Sequence, residues 1–543
     1  VEVEADGEEA GEAEEQQPLP IDTNRLRLLA RTLRDRFTEY DKARSSVEAQ
    51  WLKNVRQYIG EYDPGISALL TPDQSKAYPK ITRVKVLSIV ARLHALLFPA
   101  GEKNWSVESS PQPILPSDQL AQILMTWTAA NPEAVATQDE MDRIVKVTAD
   151  DIAKRMAKVI DDQLADASVS GSCDYQTLVR NVLFSGVLYG CGVLKGPMTV
   201  SEVGSLIVVT DGVARVVEQP LYRPFFEWVS IWDYYPDLSA KRFDQMDGQF
   251  QRHIYSKHNL SELAKREDFI GSAITDYLQR HPTGNYTKKG YEQDLDALSE
   301  EKRQTQPGEA NKYELLEYWG TVSGDDLRAA GVVIPDSMMG KTAYACVWMV
   351  GDTVIKAAKS PFPEYTAMYH QFVFEEDEVN LTGSGLPVIM RDSQLGISTF
   401  TRMLVDNAAT VCGPNLEVDA EQLADSVNPN TIRPFKAWVK DNSSPNGARA
   451  VQNVSFDSHI SELLESIRLM REFADTETFV NPINGGDMEN MPGEALRTSG
   501  NMSMAMASAA LPFKDIVRNF DRFTKSVINS LIQWNLIYHA QRA

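Results

Sequence analysis

The stretch that most narrows what this chain can fold into is Leu386–Pro414, LPVIMRDSQLGISTFTRMLVDNAATVCGP. Phe400, Leu404, Ala408 and Val411 recur three and four residues apart, with Met403 and Cys412 beside them. That is the spacing of one apolar helical stripe. Thr401, Arg402, Asp406 and Asn407 fall on the opposite face. Asp392 or Ser393 can cap the start by accepting from free backbone N–H groups. Gly413-Pro414 is expected to end the helix, Gly through a left-handed turn and Pro because it cannot donate. A helix that is apolar on one side and small and polar on the other suits packing between like neighbours.

A broken, basic stretch, Thr431–Gln452, follows. It holds Arg433, Lys436, Lys440 and Arg449 around the tip Asn442-Ser-Ser-Pro-Asn-Gly447, which favours neither helix nor strand. Read alone it is an ordinary exposed loop; its cations could also touch phosphates one at a time and let go. Asp457–Phe473 is then strongly amphipathic through Ile460, Leu463, Leu464, Ile467, Met470 and Phe473.

Helix, basic loop, helix in this order resembles the portal proteins of short-tailed bacteriophages, the rings through which DNA passes into and out of a capsid. Gln394, Ile397-Ser398, Asp406-Asn407 and Gly413-Pro414 are similar to that family's stem helix, and Arg433–Arg449 lies where the family has its tunnel loop. The resemblance implies an α+β, mainly helical subunit with wing, stem, clip and crown, twelve to a ring. It implies duplex DNA in the channel, with Arg433, Lys436, Lys440 and Arg449 facing it, and Phe400, Arg402, Leu404, Asp406 and Asn407 on the stem. The implied partners are further copies of the chain, the terminase large subunit, the major capsid and scaffolding proteins, and tail adaptor and internal core proteins. No membrane, metal or cofactor is implied. The implied location is the capsid vertex of the virion, and the host cytoplasm during assembly.

On that frame the segments run as follows. Residues 1–20 are a disordered acidic tail and 21–258 a wing of helices plus a strand-rich part. Residues 259–385 hold a stem helix and the clip, and 386–414 the second stem helix. Residues 415–456 are the tunnel-loop region, 457–491 a wing helix, and 492–543 the C-terminal wing and crown helices.

The rest of the chain is read from its residues. Val1–Pro20 carries eight acids and no base, so it is expected to stay unfolded, as a solvated tail or as a contact for a basic capsid or scaffold surface. The first residue is Val rather than Met, which leaves room for residues upstream. Asp22–Ile59 keeps a near-helical apolar period, as one helix or two, ended by Gly60. Tyr78–Pro99, Met141–Leu164 and Tyr175–Tyr189 are helical, Trp105–Val107 a short strand, and Pro111–Thr137 an insertion with a short helix. Gly192–Lys195, Leu206–Thr210, Val213–Glu218 and Phe225–Val229 read as strands, with Asp211-Gly212 as a hairpin turn. Gln249–Tyr255, Tyr313–Thr321, Ala343–Val350 and Val354–Ala358 are further strands. Asn259–Arg280 is one helix or two, Pro282–Ala310 structureless, Glu494–Ala510 helical, and a last long helix starts at Pro512.

Acids outnumber bases 76 to 54, a net charge of −22. This argues against gripping nucleic acid with the whole surface, where affinity comes from neutralising phosphates, and leaves a conduit for sliding duplex open. The four scattered cysteines form no CxxC pair, so neither a zinc site nor a disulfide framework is expected. Gly190-x-Gly192 follows a helix and opens a strand, the wrong order for a dinucleotide loop. Pro335–Thr342 nearly matches a P-loop, but Pro335 stands where the first glycine belongs and a strand follows Thr342. His94, 253, 258, 281, 370, 459 and 539 form no ligand-spaced pair. A portal subunit that catalyses nothing is the leading reading. A soluble α+β enzyme with dispersed catalytic residues and a different head–tail ring, an adaptor, are the rivals.

Overall fold

The computed structural model describes residues 21–98, 104–113, 115, 117–130, 137–168, 173–210, 213–300, 311–363, 366–413, 415–419, 423–424, 427–428, 438–439, 449, 451–478 and 511–538. The expected acidic tail, the Asp211-Gly212 turn and the helix at 494–510 lie outside them. Helices α1 Thr23–Ile59, α2 Pro64–Leu69, α3 Ile81–Leu97, α4 Ser117–Ala130, α5 Gln138–Ala165 and α6 Tyr175–Tyr189 come first. Then follow β1 Cys191–Thr210, β2 Val213–Val229, β3 Tyr234–Pro236, β4 Gly248–Ser256, α7 Lys257–Leu263, α8 Gly271–Arg280, α9 Gly290–Glu300 and β5 Lys312–Ser323. After these come α10 Gly324–Ala329, β6 Thr342–Val350, β7 Thr353–Lys359, β8 Tyr369–Val373, α11 Leu386–Ile389 and α12 Arg391–Cys412. The last are β9 Leu416–Val418, β10 Val451–Asn453, α13 Ile460–Glu477 and α14 Leu511–Tyr538. The protein is α+β, with more helix than strand. Among the described residues no helix is long and apolar enough to cross a membrane.

The chain divides into two units. The first comprises Val1–Leu52, Val90–Gly385 and Phe513–Ala543, the second Lys53–Ile89 and Leu386–Pro512.

In the first unit, antiparallel strands are ordered β3-β4-β5-β6-β7 in one sheet and β2-β1-β8 in the other. Leu26, Leu29, Leu33, Phe37 and Tyr40 of α1 share a buried core with Phe250, Leu316, Tyr318 and Val347 of the five-stranded sheet. α1 continues without a break past Arg44, which is only 1% exposed. Its guanidinium donates to the carbonyls of Ile231, Trp232 and Tyr234 and lies 3.6 Å from the centre of the Tyr235 ring. A buried charge satisfied in this way needs no chain break to reach water.

Polar side chains also join the two sheets. Lys195 of β1 pairs with Glu317 of β5 at 2.5 Å, and Tyr369 of β8 donates to Gln251 of β4 at 3.0 Å. Gln371 of β8 donates to Tyr234 of β3 at 2.8 Å. The apolar stripe of α14 is core: Phe520, Val527, Leu531 and Trp534 are all fully buried.

Several expectations are corrected. The boundary at 258/259 separates nothing, because β4 pairs with β5 from Gly248↔Gly320 to Ser256↔Lys312. Residues 282–310 are not structureless throughout: α9 forms where Tyr291 stacks on Trp232 and Glu292 meets Arg252. Residues 105–107 are irregular rather than a strand. The four short strands at 192–229 are two long ones, and an irregularity between Lys195 and Met198 carries β1 through Gly196-Pro197.

The two glycines at 190 and 192 have structural roles. Gly190 caps α6 at φ 108°, and a Cβ on Gly192 would stand 2.0 Å from the Val182 carbonyl oxygen. Only glycine lets β1 fold back against α6 this closely. Thr342 opens β6, so no helix end faces a phosphate there.

Candidate functional site

The second unit is built on α12 and α13, which lie antiparallel. Ser393 at the start of α12 donates to Glu477 at the end of α13, and the Asn407 side chain accepts from the His459 backbone at the other end. Gly396 permits the close packing between them, since a Cβ there would stand 2.9 Å from Met470 Sδ. The start of α12 is not capped as expected. Met390 is its N-cap with no side-chain bond, because Ser393 is spent on Glu477 and α11 runs up to it. Gly413 does end the helix, but with φ −76° and ψ 152°, an extended and not a left-handed exit. Pro414 lies outside the described residues.

The most buried residues of α12 are Ser393, Gln394, Ile397 and Ser398, mostly polar. Gln394 is 1% exposed and uses both ends of its amide. Its oxygen accepts from Thr82 N and Thr82 Oγ1, and its nitrogen donates to Pro79 O and Ser398 Oγ. Gln57 donates to the same Thr82 hydroxyl. Nearby, Lys85 reaches Asp475 at 2.6 Å and Thr478 at 2.8 Å, and its burial pushes its pKa below the ordinary lysine value. This network fixes α12 and α13 on α3. Gln394→Leu should lower stability by about 2–4 kcal/mol in urea unfolding, since it strands several buried partners at once.

The expected apolar stripe is covered only in part. Phe400, Leu404, Ala408 and Val411 are half-buried, while Met403 and Cys412 are exposed. Leu395, Met403 and Val405 of α12 are 41%, 51% and 44% exposed, and Leu464, Leu469 and Phe473 of α13 are 45%, 46% and 46% exposed. The polar face does structural work. Asp406 accepts from Ser75 N at 2.8 Å, and Arg402 lies 4.9 Å from the centre of the Tyr62 ring.

After α12, β9 pairs with β10 from Val418↔Val451 to Leu416↔Asn453. The basic loop therefore leaves and rejoins the hairpin through a short ribbon, and Val451-Gln452 is strand rather than loop. Arg449 stands exposed two residues outside the last pair. Arg433, Lys436, Lys440 and the tip at 442–447 lie outside the described residues.

The described residues hold no cluster of three or more His, Cys, Asp or Glu able to take a metal, and all four cysteines are unbridged. His370 stands between two serines: its Nδ1 is 2.8 Å from Ser526 Oγ and its Nε2 is 3.2 Å from Ser530 Oγ. The ring is 1% exposed, its Nε2 is engaged by the Gly196 carbonyl at 2.9 Å, and burial depresses its pKa to about 4. A closed, carboxylate-free group of this kind cannot present a nucleophile to a substrate. No protein-family model matches the chain, and no curated protein matches it.

Proposed function

We propose that this chain is the subunit of a viral portal, a ring of twelve copies at the capsid vertex through which duplex DNA is packaged and ejected. The observation that carries this reading is the α12–α13 hairpin. It is pinned from within by a polar network, yet it holds six large apolar side chains 41–51% exposed along its two helices. They point to more than one side of the helix pair, and copies set on both sides of it around an axis would cover them. The wing is assigned to the sheet-bearing unit and the stem to the hairpin. The loop between β9 and β10, with Arg449 at its root, faces the lumen. Outside the network, α13 exposes Glu462, Glu465 and Glu472 against Arg468 and Arg471, a slightly acidic balance that suits a wall phosphate slides past. The ring would dock the terminase large subunit and later the tail adaptor, and would meet capsid, scaffolding and internal core proteins. It would act in the virion and, during assembly, in the host cytoplasm, and it would catalyse nothing itself.

Electron microscopy of the purified chain tests the ring. Annular particles with a hole of duplex width support it, and a monomer that turns over a substrate overturns it. The loop has its own test. Lys436→Gln, Lys440→Gln and Arg449→Gln together should leave rings intact and reduce packaged or retained genomes at least tenfold. Normal genome retention by such rings would remove the loop from the lumen.

A further inference from the structure

β1 and β2 form an arm that outruns its sheet. β8 pairs with β1 only over Cys191–Lys195, whereas the β1–β2 register continues from Met198↔Phe225 to Thr210↔Val213. The root is tied down. Trp534 donates to Thr199, Tyr222 packs on Tyr538, and the Phe226 N–H is taken by the Ala167 carbonyl. From Glu202↔Leu221 outward, nine register pairs have no third strand among the described residues. That is an overhang of about 30 Å at the usual strand rise.

The edge strands β3, β7 and β8 of this unit are short, and each takes a hydrogen bond from elsewhere in the chain. Arg44 donates to the Tyr234 carbonyl on β3, Ile270 N–H to the Ile355 carbonyl on β7, and the Asn519 amide to the Val373 carbonyl on β8. An open ladder edge is a template for another strand, and a two-stranded ribbon in water is only marginally stable. The overhang is rich in strand formers, Leu206, Ile207, Val208, Val209, Val213, Val216 and Val217.

We infer that the arm of one copy pairs, edge to edge, with the arm of the neighbouring copy, the open edge of β1 meeting the open edge of β2. Each arm offers two different edges. A single foreign strand would close one of them; identical copies related by rotation close both, which is the head-to-tail contact that makes rings. Because β1 and β2 run antiparallel, arms pointing the same way meet as antiparallel strands. The charge of residues 202–221, with Glu202, Asp211 and Glu218 against Arg215, disfavours nucleic acid as the occupant. The inference rests on the ring reading.

Ser201 and Tyr222 face each other in the register, so joining them through Asn-Gly removes residues 202–221 with a turn that suits a hairpin. The shortened chain should keep the circular dichroism spectrum of the intact one. It should need at least tenfold more protein to assemble in sedimentation velocity. Amide hydrogen exchange of residues 198–225 in the intact chain should slow at least tenfold between monomer and assembly. Rings whose arms exchange as fast as in the monomer overturn the arm contact and leave the ring standing. So does a shortened chain that assembles at the same concentration. Protection that needs added duplex DNA or capsid protein overturns it in favour of that occupant. If the shortened chain fails to fold, the exchange result decides alone. An intact chain that stays monomeric at every concentration removes the ring and the arm contact together.

Discussion

Lys195→Met should cost the sheet-bearing unit about 3–5 kcal/mol in urea unfolding, the usual result of stranding one member of a buried ion pair. Lys195 and Glu317 have side chains 2% and 3% exposed. The same Glu317 Oε2 that meets Lys195 Nζ is 2.8 Å from His253 Nε2, and Oε1 accepts from Trp319 Nε1 at 2.7 Å. The Trp348 and Tyr369 rings lie 5.9 and 5.7 Å from the ammonium. Without the lysine, Trp319 and His253 remain against a carboxylate that water cannot reach. Lys195→Met with Glu317→Leu removes both charges and should recover most of the loss, because apolar replacements of a buried pair are often neutral. A single variant within about 1 kcal/mol of the parent would show that the pair contributes little. The pair also sets an acid limit. Although burial opposes its charge, Lys195 and His253 hold the Glu317 pKa down at about 2, against 4.5 for an ordinary glutamate. Its contribution is therefore complete above pH 4.5 and is lost as pH falls toward 2.

Acidification acts earlier through His370. Burial depresses its pKa from 6.5 to about 4. Its neighbours are the Ser526 and Ser530 hydroxyls and the Gly196 carbonyl, which suit a neutral ring with its proton on Nε2. Below pH 6.5 the unfolded chain takes up a proton that the folded chain refuses, so stability falls with pH. The loss should total about 3 kcal/mol by pH 4. Urea midpoints recorded between pH 7 and pH 4 should show this slope, and His370→Gln should flatten it at some cost in stability at pH 7. A slope unchanged by the substitution would assign the acid sensitivity to other groups. The two windows, 6.5 to 4 and 4.5 to 2, overlap little, so the two residues can be told apart in one titration.

These buried groups mark where sequence reading stops. The span Tyr175–Tyr189 of α6 was legible from its apolar period, and the structure adds its ends: Asp174 accepts from Thr177 N as the cap and Gly190 closes it. The span of α1 and the strands β4 to β7 also follow from local period and turn residues. By contrast, β8 is only five residues long, Tyr369–Val373, and is a strand because β1 lies beside it. α9 depends on Trp232 and Arg252, far away in sequence. Of the breaks read within 192–229, the first holds Gly196-Pro197, which the ladder passes as an irregularity, and the one between Glu218 and Phe225 is continuous strand. In the hairpin, the stripe through Phe400 and Leu404 was visible as a period, but the anchoring side chain is Gln394. A glutamine in an amphipathic stretch gives no local sign that Pro79, Thr82 and Ser398 surround it. Of the four cations read in the loop, Arg449 is placed, exposed beside the ribbon.

The ribbon of β9 and β10 has a consequence for how such a chain can diversify. It gathers both ends of the segment between Val418 and Val451 into three facing pairs. The entropic cost of closing a loop grows slowly, by about 0.6 kcal/mol per doubling of length. Added length between Val418 and Val451 is therefore cheap to close, whether it accumulates between lineages or is introduced by an engineer, while the helices that carry the ribbon keep their packing.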